Sequence, residues 1–188
     1  MGHNVRVVAG SHRGRRLAAP QGRATRPTPD RVREAVFNML YSLGGMAGAK
    51  VVDLYAGTGA MGIEALSRGA DHALFVETSP EALAALRENL LTVGLEDRAE
   101  IVSRDVESFL RSSSTRFDLA IIDPPYAFDD WSELLAEVSA GLVVIESGRD
   151  IDLPSGWETH RVKRYGGTVV TVASPHRSGA DNAGSASS

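Results

Sequence analysis

From residue 50 onward the chain alternates between two hydrophobic periods. Apolar runs at 50–54, 72–76, 99–102 and 117–122 read as strands. The stretches between them, at about 61–68, 79–92 and 105–111, place apolar residues three and four apart, as helices do. Strand and helix in alternation specify a parallel sheet covered on both faces. In the second helix Ser79 is the expected cap and Pro80 the first residue, with Leu83, Leu86, Leu90 and Leu91 facing the sheet. A helix at 131–138 and a buried strand at 141–146 follow. The last strands, 157–164 and 168–173, are joined by Gly166-Gly167, a hairpin signal, so the sheet should finish antiparallel.

Upstream the pattern is different. NVRVVA (4–9) and RRLA (15–18) alternate around Gly-Ser-His-Arg-Gly, which predicts a small β-hairpin. Pro20, Gly22, Pro27 and Pro29 mark an extended linker. Beyond it Val32, Ala35, Val36, Met39, Leu40 and Leu43 define an amphipathic helix, with Thr28 as N-cap and Pro29 at the first position, ended by Gly44, Gly45 and Gly48. The chain thus divides into an arm (1–24), one α/β domain (25–173) and a tail (174–188) too poor in apolar residues to pack and expected to be disordered.

Composition narrows the chemistry. A chain of 188 residues, 43% hydrophobic and 23% charged, can bury a core without staples. The absence of cysteine excludes disulfides, thiolate metal sites and a cysteine nucleophile. Five histidines are scattered without ligand spacing, so no metal site is expected. No run reaches membrane-spanning length and the start lacks a signal-peptide core, so a cytoplasmic monomer is the expectation. Charge is unevenly spread: residues 1–33 carry a balance of +7 and the remainder −11. A basic arm on an acidic body points to a polyanion, with Arg6, Arg13, Arg15 and Arg16 of the hairpin as candidate RNA contacts. Guanidinium groups pair with phosphates bidentately and stack on bases.

The candidate chemistry gathers at strand ends. In VVDLYAGTGAMG (51–62) a strand carrying Asp53 breaks into Gly57, Gly59 and Gly62, fitting G-x-G-x-x-G, where a tight turn lets backbone approach a ligand and a helix pack on its strand. Glu77, about 20 residues on, closes the next apolar run, where such sites place an acid for ribose hydroxyls. Asp105 follows the third strand. The fourth runs into Asp123-Pro124-Pro125-Tyr126, whose prolines remove two NH donors and leave carbonyls and a carboxylate as acceptors beside an aromatic face. Acceptors next to a stacking ring suit a planar base with an exocyclic amine. Tyr126 and Phe128 are the candidate platforms, Phe128 equally a core residue.

These motifs together resemble a class I methyltransferase dependent on S-adenosylmethionine, of the amino-methylating kind. RVVAGSHRGRRLAAP followed by TRPTPDRVREAVFNML resembles, more narrowly, the RsmD family, which methylates guanine N2 in bacterial 16S ribosomal RNA. The resemblance spans about residues 4–173. It implies a Rossmann-like, mostly parallel seven-stranded sheet with an antiparallel last strand, and 16S rRNA or the small ribosomal subunit as partner. It further implies that Asp53, Gly57 and Gly59 line the methionyl part of S-adenosylmethionine, that Glu77 holds the ribose and that Asp105 reaches the adenine amine. Asp123 to Tyr126 would be the catalytic loop. Arg26, Thr28, Asp30 and Arg31 would fold over the carboxylate end of the cofactor, Arg26 as counter-ion. Guanine offers adjacent N1 and N2 donors to one carboxylate, whereas adenine sets an acceptor beside its amine, so Asp123 fits guanine better. An adenine-N6 methyltransferase, an NAD-dependent oxidoreductase using the same glycines, and a noncatalytic RNA-binding module are the alternatives that the residues leave open.

Overall fold

A computed structural model describes residues 5–19 and 29–176. Val5–Arg6 (β1) pairs antiparallel with Arg16–Leu17 (β2), and Asp30–Ser42 forms the first helix (α1). The main sheet comprises Lys50–Leu54 (β3), His72–Glu77 (β4), Ala99–Ser103 (β5), Phe117–Ile122 (β6), Ala140–Ser147 (β7), Trp157–Tyr165 (β8) and Thr168–Pro175 (β9). Their order is β5-β4-β3-β6-β7-β9-β8. The first five in sequence pair in parallel, while β9 runs antiparallel to both β7 and β8.

The connections decide which face each helix covers. Moving from β3 to β4 to β5, the chain carries Ala60–Ser67 (α2) and Pro80–Val93 (α3) onto the face that also holds α1. It then returns past β3 to β6 and β7, placing Val106–Ser112 (α4) and Trp131–Glu137 (α5) on the opposite face. Right-handed crossovers require this segregation. Strand alternation serves both cores: Val51 of β3 enters the α1 side, Val52 and Leu54 the α5 side. The direction of travel reverses between β3 and β6, and open α/β sheets bind ligands at such a point, outside the carboxyl ends of the strands.

The arm is docked on the body. Val5, Val7 and Leu17 join the α1-side core, and Glu64 of α2, with no exposed surface, accepts hydrogen bonds from the amides of Val8 (2.7 Å) and Ala9 (2.9 Å) and from Arg68 Nε (2.7 Å). Ser67 holds the turn, its Oγ accepting from the His12 amide (3.0 Å) and donating to the Ala9 carbonyl (2.6 Å). Gly10, at φ +83°, lies so close to Ser67 that a Cβ would meet its carbonyl oxygen. Asn89 of α3 pairs both ways with the Ala18 backbone and donates to the Thr58 carbonyl, tying the arm to the glycine turn.

Several expectations shift. The arm strands are two residues each rather than the full 4–9 and 15–18, because Val8 and Ala9 give their amides to Glu64. Pro29 takes the cap position of α1 instead of its first turn, and Thr28 and Arg26 lie outside the described residues. Leu43 is the C-cap of α1 and exposed. Leu91, expected to face the sheet, is 69% exposed: one helical step beyond buried Leu90, it sits above exposed Arg87 and Glu88. Strand β9 runs to Pro175, two residues past the expected domain limit, and the His176 amide donates to the Gly156 carbonyl; residues 177–188 of the tail lie outside the described part. No described helix is long and apolar enough to cross a membrane.

Removing the Glu64 carboxylate strands two amides and the Arg68 guanidinium, a loss of about 3–5 kcal/mol for a broken buried ion pair. Glu64→Ala should therefore lower the melting temperature by roughly 6–20 °C and open the 10–16 turn to trypsin, with Glu64→Gln intermediate. An unchanged melting curve and a protected arm would show that the arm is held elsewhere.

Candidate active site

The glycine turn divides its work among its three glycines. Gly59 (φ +76°) and Gly62 are closed in by protein: a Cβ at Gly59 would stand 2.2 Å from Leu86 Cδ1, and one at Gly62 2.3 Å from the Phe75 ring. Gly62 can therefore lay α2 directly on β4, and its amide donates to Asp53 Oδ2 at 2.8 Å. Gly57 (φ +56°) faces open space with no atom within 4 Å of its Cβ position. Its amide donates to Glu77 Oε2 at 2.8 Å, while Glu77 Oε1 accepts from Thr78 (2.7 Å) and Ser79 (2.8 Å). A carboxylate has about four acceptor positions, so one remains on Oε2 for a further donor.

Asp53 is 2% exposed, and burial pushes its carboxyl well above the ordinary range. The Gly62 amide pulls it back, and the neighbouring charges of Asp123 and Glu77 push it up again. Across the switch point, the Asp123 amide contacts the Leu54 carbonyl at 3.5 Å, which sets the start of the catalytic-loop candidate against the end of β3. Asp123 opens to solvent on one side, but the protein packed around its carboxyl strips hydration and raises it to about 6. Pro124 is buried, and its carbonyl accepts no backbone hydrogen bond among the described residues, whereas the Pro125 carbonyl accepts from the Phe128 amide at 2.9 Å. Tyr126 is 69% exposed, and Gly148 makes room for it, since a Cβ there would stand 2.8 Å from the ring. Phe128 serves both settings: half-buried, it meets Trp131 edge-on at 4.9 Å and lies 6.0 Å from Tyr55, and it also lines the cleft beside the loop.

Beside this loop opens a cleft of about 80 Å³, whose lining includes Asp123 to Tyr126, Phe128, Glu146, Tyr165, Thr168 and Pro29. Asp105 is engaged in its own helix: it caps α4, Oδ1 accepting from the Ser108 amide at 2.7 Å, and that bond holds its carboxyl below the ordinary range. The carboxylate is exposed and keeps acceptor capacity for a further donor. Arg6 is paired with Asp30 at 3.0 Å, and Asp30 also binds buried Arg33 at 2.7 Å, whereas Arg13, Arg15 and Arg16 stand exposed.

Two residues were missed by pattern reading. Tyr55, at φ +62°, is the one described non-glycine in left-handed conformation, and its hydroxyl donates to Glu107 Oε1 at 3.1 Å. Nothing in the sequence announces that strain. Glu146, buried at the end of GLVVIE, could have been found by the logic that found Glu77, an acid closing an apolar run. Among the described residues no group of histidines and carboxylates could hold a metal ion.

With this geometry in view, likeness to known proteins is specific. The family model described as Conserved hypothetical protein 95 matches residues 5–174. The chain belongs to that family, the RsmD family. Ribosomal RNA small subunit methyltransferase D of Escherichia coli is 34% identical over 172 residues, covering 86% of this chain and 85% of the relative. The protein of the same name in Haemophilus influenzae is 32% identical over 174 residues, 86% and 89% of the two chains. The solved structure of Putative methyltransferase yhhF from Escherichia coli superposes with a TM-score of 0.80 at 32% identity, covering 92% of this chain and 98% of that one. The dinucleotide oxidoreductase and the noncatalytic module, open at the level of residues, have no counterpart in these RsmD-family relatives.

The division of labour among the glycines is testable. Gly62→Ala forces a methyl into Phe75 and should cost about 1–3 kcal/mol by overpacking, seen as a lowered melting temperature. Gly57→Ala meets nothing and should cost only the left-handed strain, about 1–2 kcal/mol, while weakening S-adenosylmethionine binding in calorimetry. Equal stability of wild type and Gly62→Ala would contradict the packing assignment.

Proposed function

We propose that the protein methylates the exocyclic N2 amine of a guanine in small-subunit ribosomal RNA, using S-adenosylmethionine. RsmD-family membership supports the reaction class and the substrate class, and the arrangement of Asp123 supports the chemistry. The carrying observation is that Asp123 and the Pro124 carbonyl offer acceptors, in a loop without proline NH donors, at the mouth of a cleft with Tyr126 exposed beside it.

The residues at the switch point fit the cofactor. The open side of Gly57 gives space at the end of β3, and Glu77 Oε2 keeps an acceptor position for a ribose hydroxyl. The exposed carboxylate of Asp105 is available to an adenine amine. Asp53, buried behind the turn, acts by fixing the Gly62 amide and hence the start of α2. When bound, S-adenosylmethionine supplies the electrophilic methyl group. Tyr126 would stack the base, and Asp123 and the Pro124 carbonyl would accept from the two amine hydrogens, turning the nitrogen lone pair toward the methyl position. The proton that the amine sheds passes to the Asp123 carboxylate, which is ionised at neutral pH with a value of about 6. Most of the rate enhancement is positioning. Guanine N1–H next to N2–H gives the carboxylate a second donor, whereas adenine would confront it with an acceptor.

Methyl transfer from radiolabelled S-adenosylmethionine to small ribosomal subunits lacking their own modifications, followed by digestion to nucleosides, tests this reading. Label should appear in N2-methylguanosine and fall about 100- to 10,000-fold in Asp123→Asn; label in N6-methyladenosine would overturn the base assignment. A protonated Asp123 donates and cannot accept. In wild type kcat/KM should therefore drop about tenfold per unit as pH falls below about 6, and this limb should vanish in Asp123→Asn. A flat profile down to pH 5 would remove Asp123 as the acceptor.

Neutralising Arg13, Arg15 and Arg16 together should weaken RNA binding and flatten its salt dependence while leaving S-adenosylmethionine affinity unchanged. Unchanged RNA affinity in the triple variant would exclude the arm as an RNA contact.

A further inference from the structure

The acidic body has one region of opposite sign. Residues 34–156 hold 21 acids and eight bases, whereas the closing hairpin, 157–176, carries Arg161, Lys163 and Arg164 against the single acid Glu158. This hairpin supplies β8, the outermost strand of the sheet, whose far edge is unpaired among the described residues. All three cations are exposed. Arg164 is taken up by Asp150. Among the described residues Lys163 forms no ion pair, and Arg161 reaches only the His160 carbonyl, at 3.5 Å.

Register places the two uncommitted cations. Arg161 lies opposite Val172, Lys163 opposite Val170 and Tyr165 opposite Thr168. Residues opposite one another in an antiparallel pair share a face. Val170 and Val172 belong to the core that α1 and the arm cover, so Arg161, Lys163 and Tyr165 project on the arm's side of the sheet. Tyr165 and Thr168 line the catalytic cleft, and Lys163 and Arg161 follow at steps of about 6.6 Å along the strand. Pro29 also lines the cleft and leads into Asp30, which holds Arg6 of the arm. Both cationic elements therefore connect to the cleft lining, the arm through Asp30 next to Pro29 and β8 through Tyr165.

We propose that β8, through Arg161 and Lys163, is a second contact for the phosphate backbone of the substrate RNA, so that the strand is held on both sides of the base presented to Asp123. The proposal rests on the RNA methyltransferase reading and adds a surface to it. Cations on an edge strand also discourage sheet-to-sheet association, and the two roles make different predictions. A guard would leave RNA binding untouched when removed, and its loss would appear as self-association. A phosphate contact contributes to affinity and to its salt dependence.

The test compares wild type, Arg161→Gln/Lys163→Gln and Arg116→Gln, the last an exposed cation at the opposite ends of the strands. Binding to unmodified 16S rRNA is titrated from 50 to 300 mM salt, with S-adenosylmethionine affinity, melting temperature and sedimentation alongside. The double variant should bind RNA about tenfold more weakly at 150 mM salt, with the salt slope reduced by about 1.4 for two single-strand phosphate contacts. Cofactor affinity and melting temperature should match wild type, and Arg116→Gln should bind RNA as wild type does. An unchanged RNA affinity and slope, with or without self-association, overturns the proposal, as does an equal loss in Arg116→Gln, which would reduce the effect to net charge. Wild type that fails to bind the RNA at any salt would overturn the RNA reading itself, and this surface with it.

Discussion

The hydrogen bond from the Gly62 amide to the Asp53 carboxylate is the constraint on which the site depends. It needs an acid on a central strand, two residues before its turn, and a helix so close to the neighbouring strand that no Cβ fits between Gly62 and Phe75. Meeting both conditions fixes where α2 begins, and with it the open side of Gly57 and the Gly57 amide that orients Glu77. The cost is a carboxylate in the interior. Its carboxyl binds a proton more tightly in the folded chain than in the unfolded one, so its ionisation weakens the fold as pH rises above the ordinary carboxylate range. A site that only needed a tight turn would have little reason to keep such a group.

The same buried acid bears on the loop across the switch point. Asp53 and Asp123 come from adjacent parallel strands, Asp53 beside Ile121 in register; Asp53 is buried, whereas Asp123 opens to solvent on one side and is desolvated on the other. Topology thus brings two carboxyls close enough to repel without any sequence proximity. Lifting Asp123 to about 6 makes it a better proton acceptor than an ordinary surface aspartate, while leaving it ionised near neutrality. Proline is suited to this place for a backbone reason. Amides at 124 and 125 would compete for the carboxylate that the substrate amine has to reach.

Much of the fold was legible because its signals are local. Strand ends came within one or two residues at β3 to β6, and the Gly166-Gly167 hairpin set the antiparallel finish. The misses have tertiary causes. Leu91 is apolar yet points outward, since a helix phase known only from composition leaves adjacent positions ambiguous. The arm strands end early because distant side chains claim the amides that follow them, Glu64 those of Val8 and Ala9 and Asn89 that of Ala18. Arg6, grouped with the other arm cations by sequence, is tied to Asp30 by a contact spanning 24 positions. Local pattern identifies which residues are chemically able to act; long-range contacts decide which of them are already engaged.

Charge segregation follows from the site. Asp53, Glu77, Asp105 and Asp123 converge on the carboxyl ends of four adjacent strands, the set of acceptors that the proposed cofactor and amine-bearing base would call for. An RNA backbone approaching that edge meets negative charge, and the Debye length of about 8 Å at physiological ionic strength screens only part of it. Attraction has to come from groups beyond the acids yet within reach of the flanking nucleotides. In the proposed reading the arm would supply it on the α1 side, where Asp30 couples it to the helix whose start borders the cleft. The sheet's outer edge strand β8 carries further cations on the same face, and an edge strand tolerates cations that a central one would have to bury. The chain's overall charge of −4 therefore conceals an acidic centre with cations at its margins, the arrangement that the proposed reaction on RNA calls for.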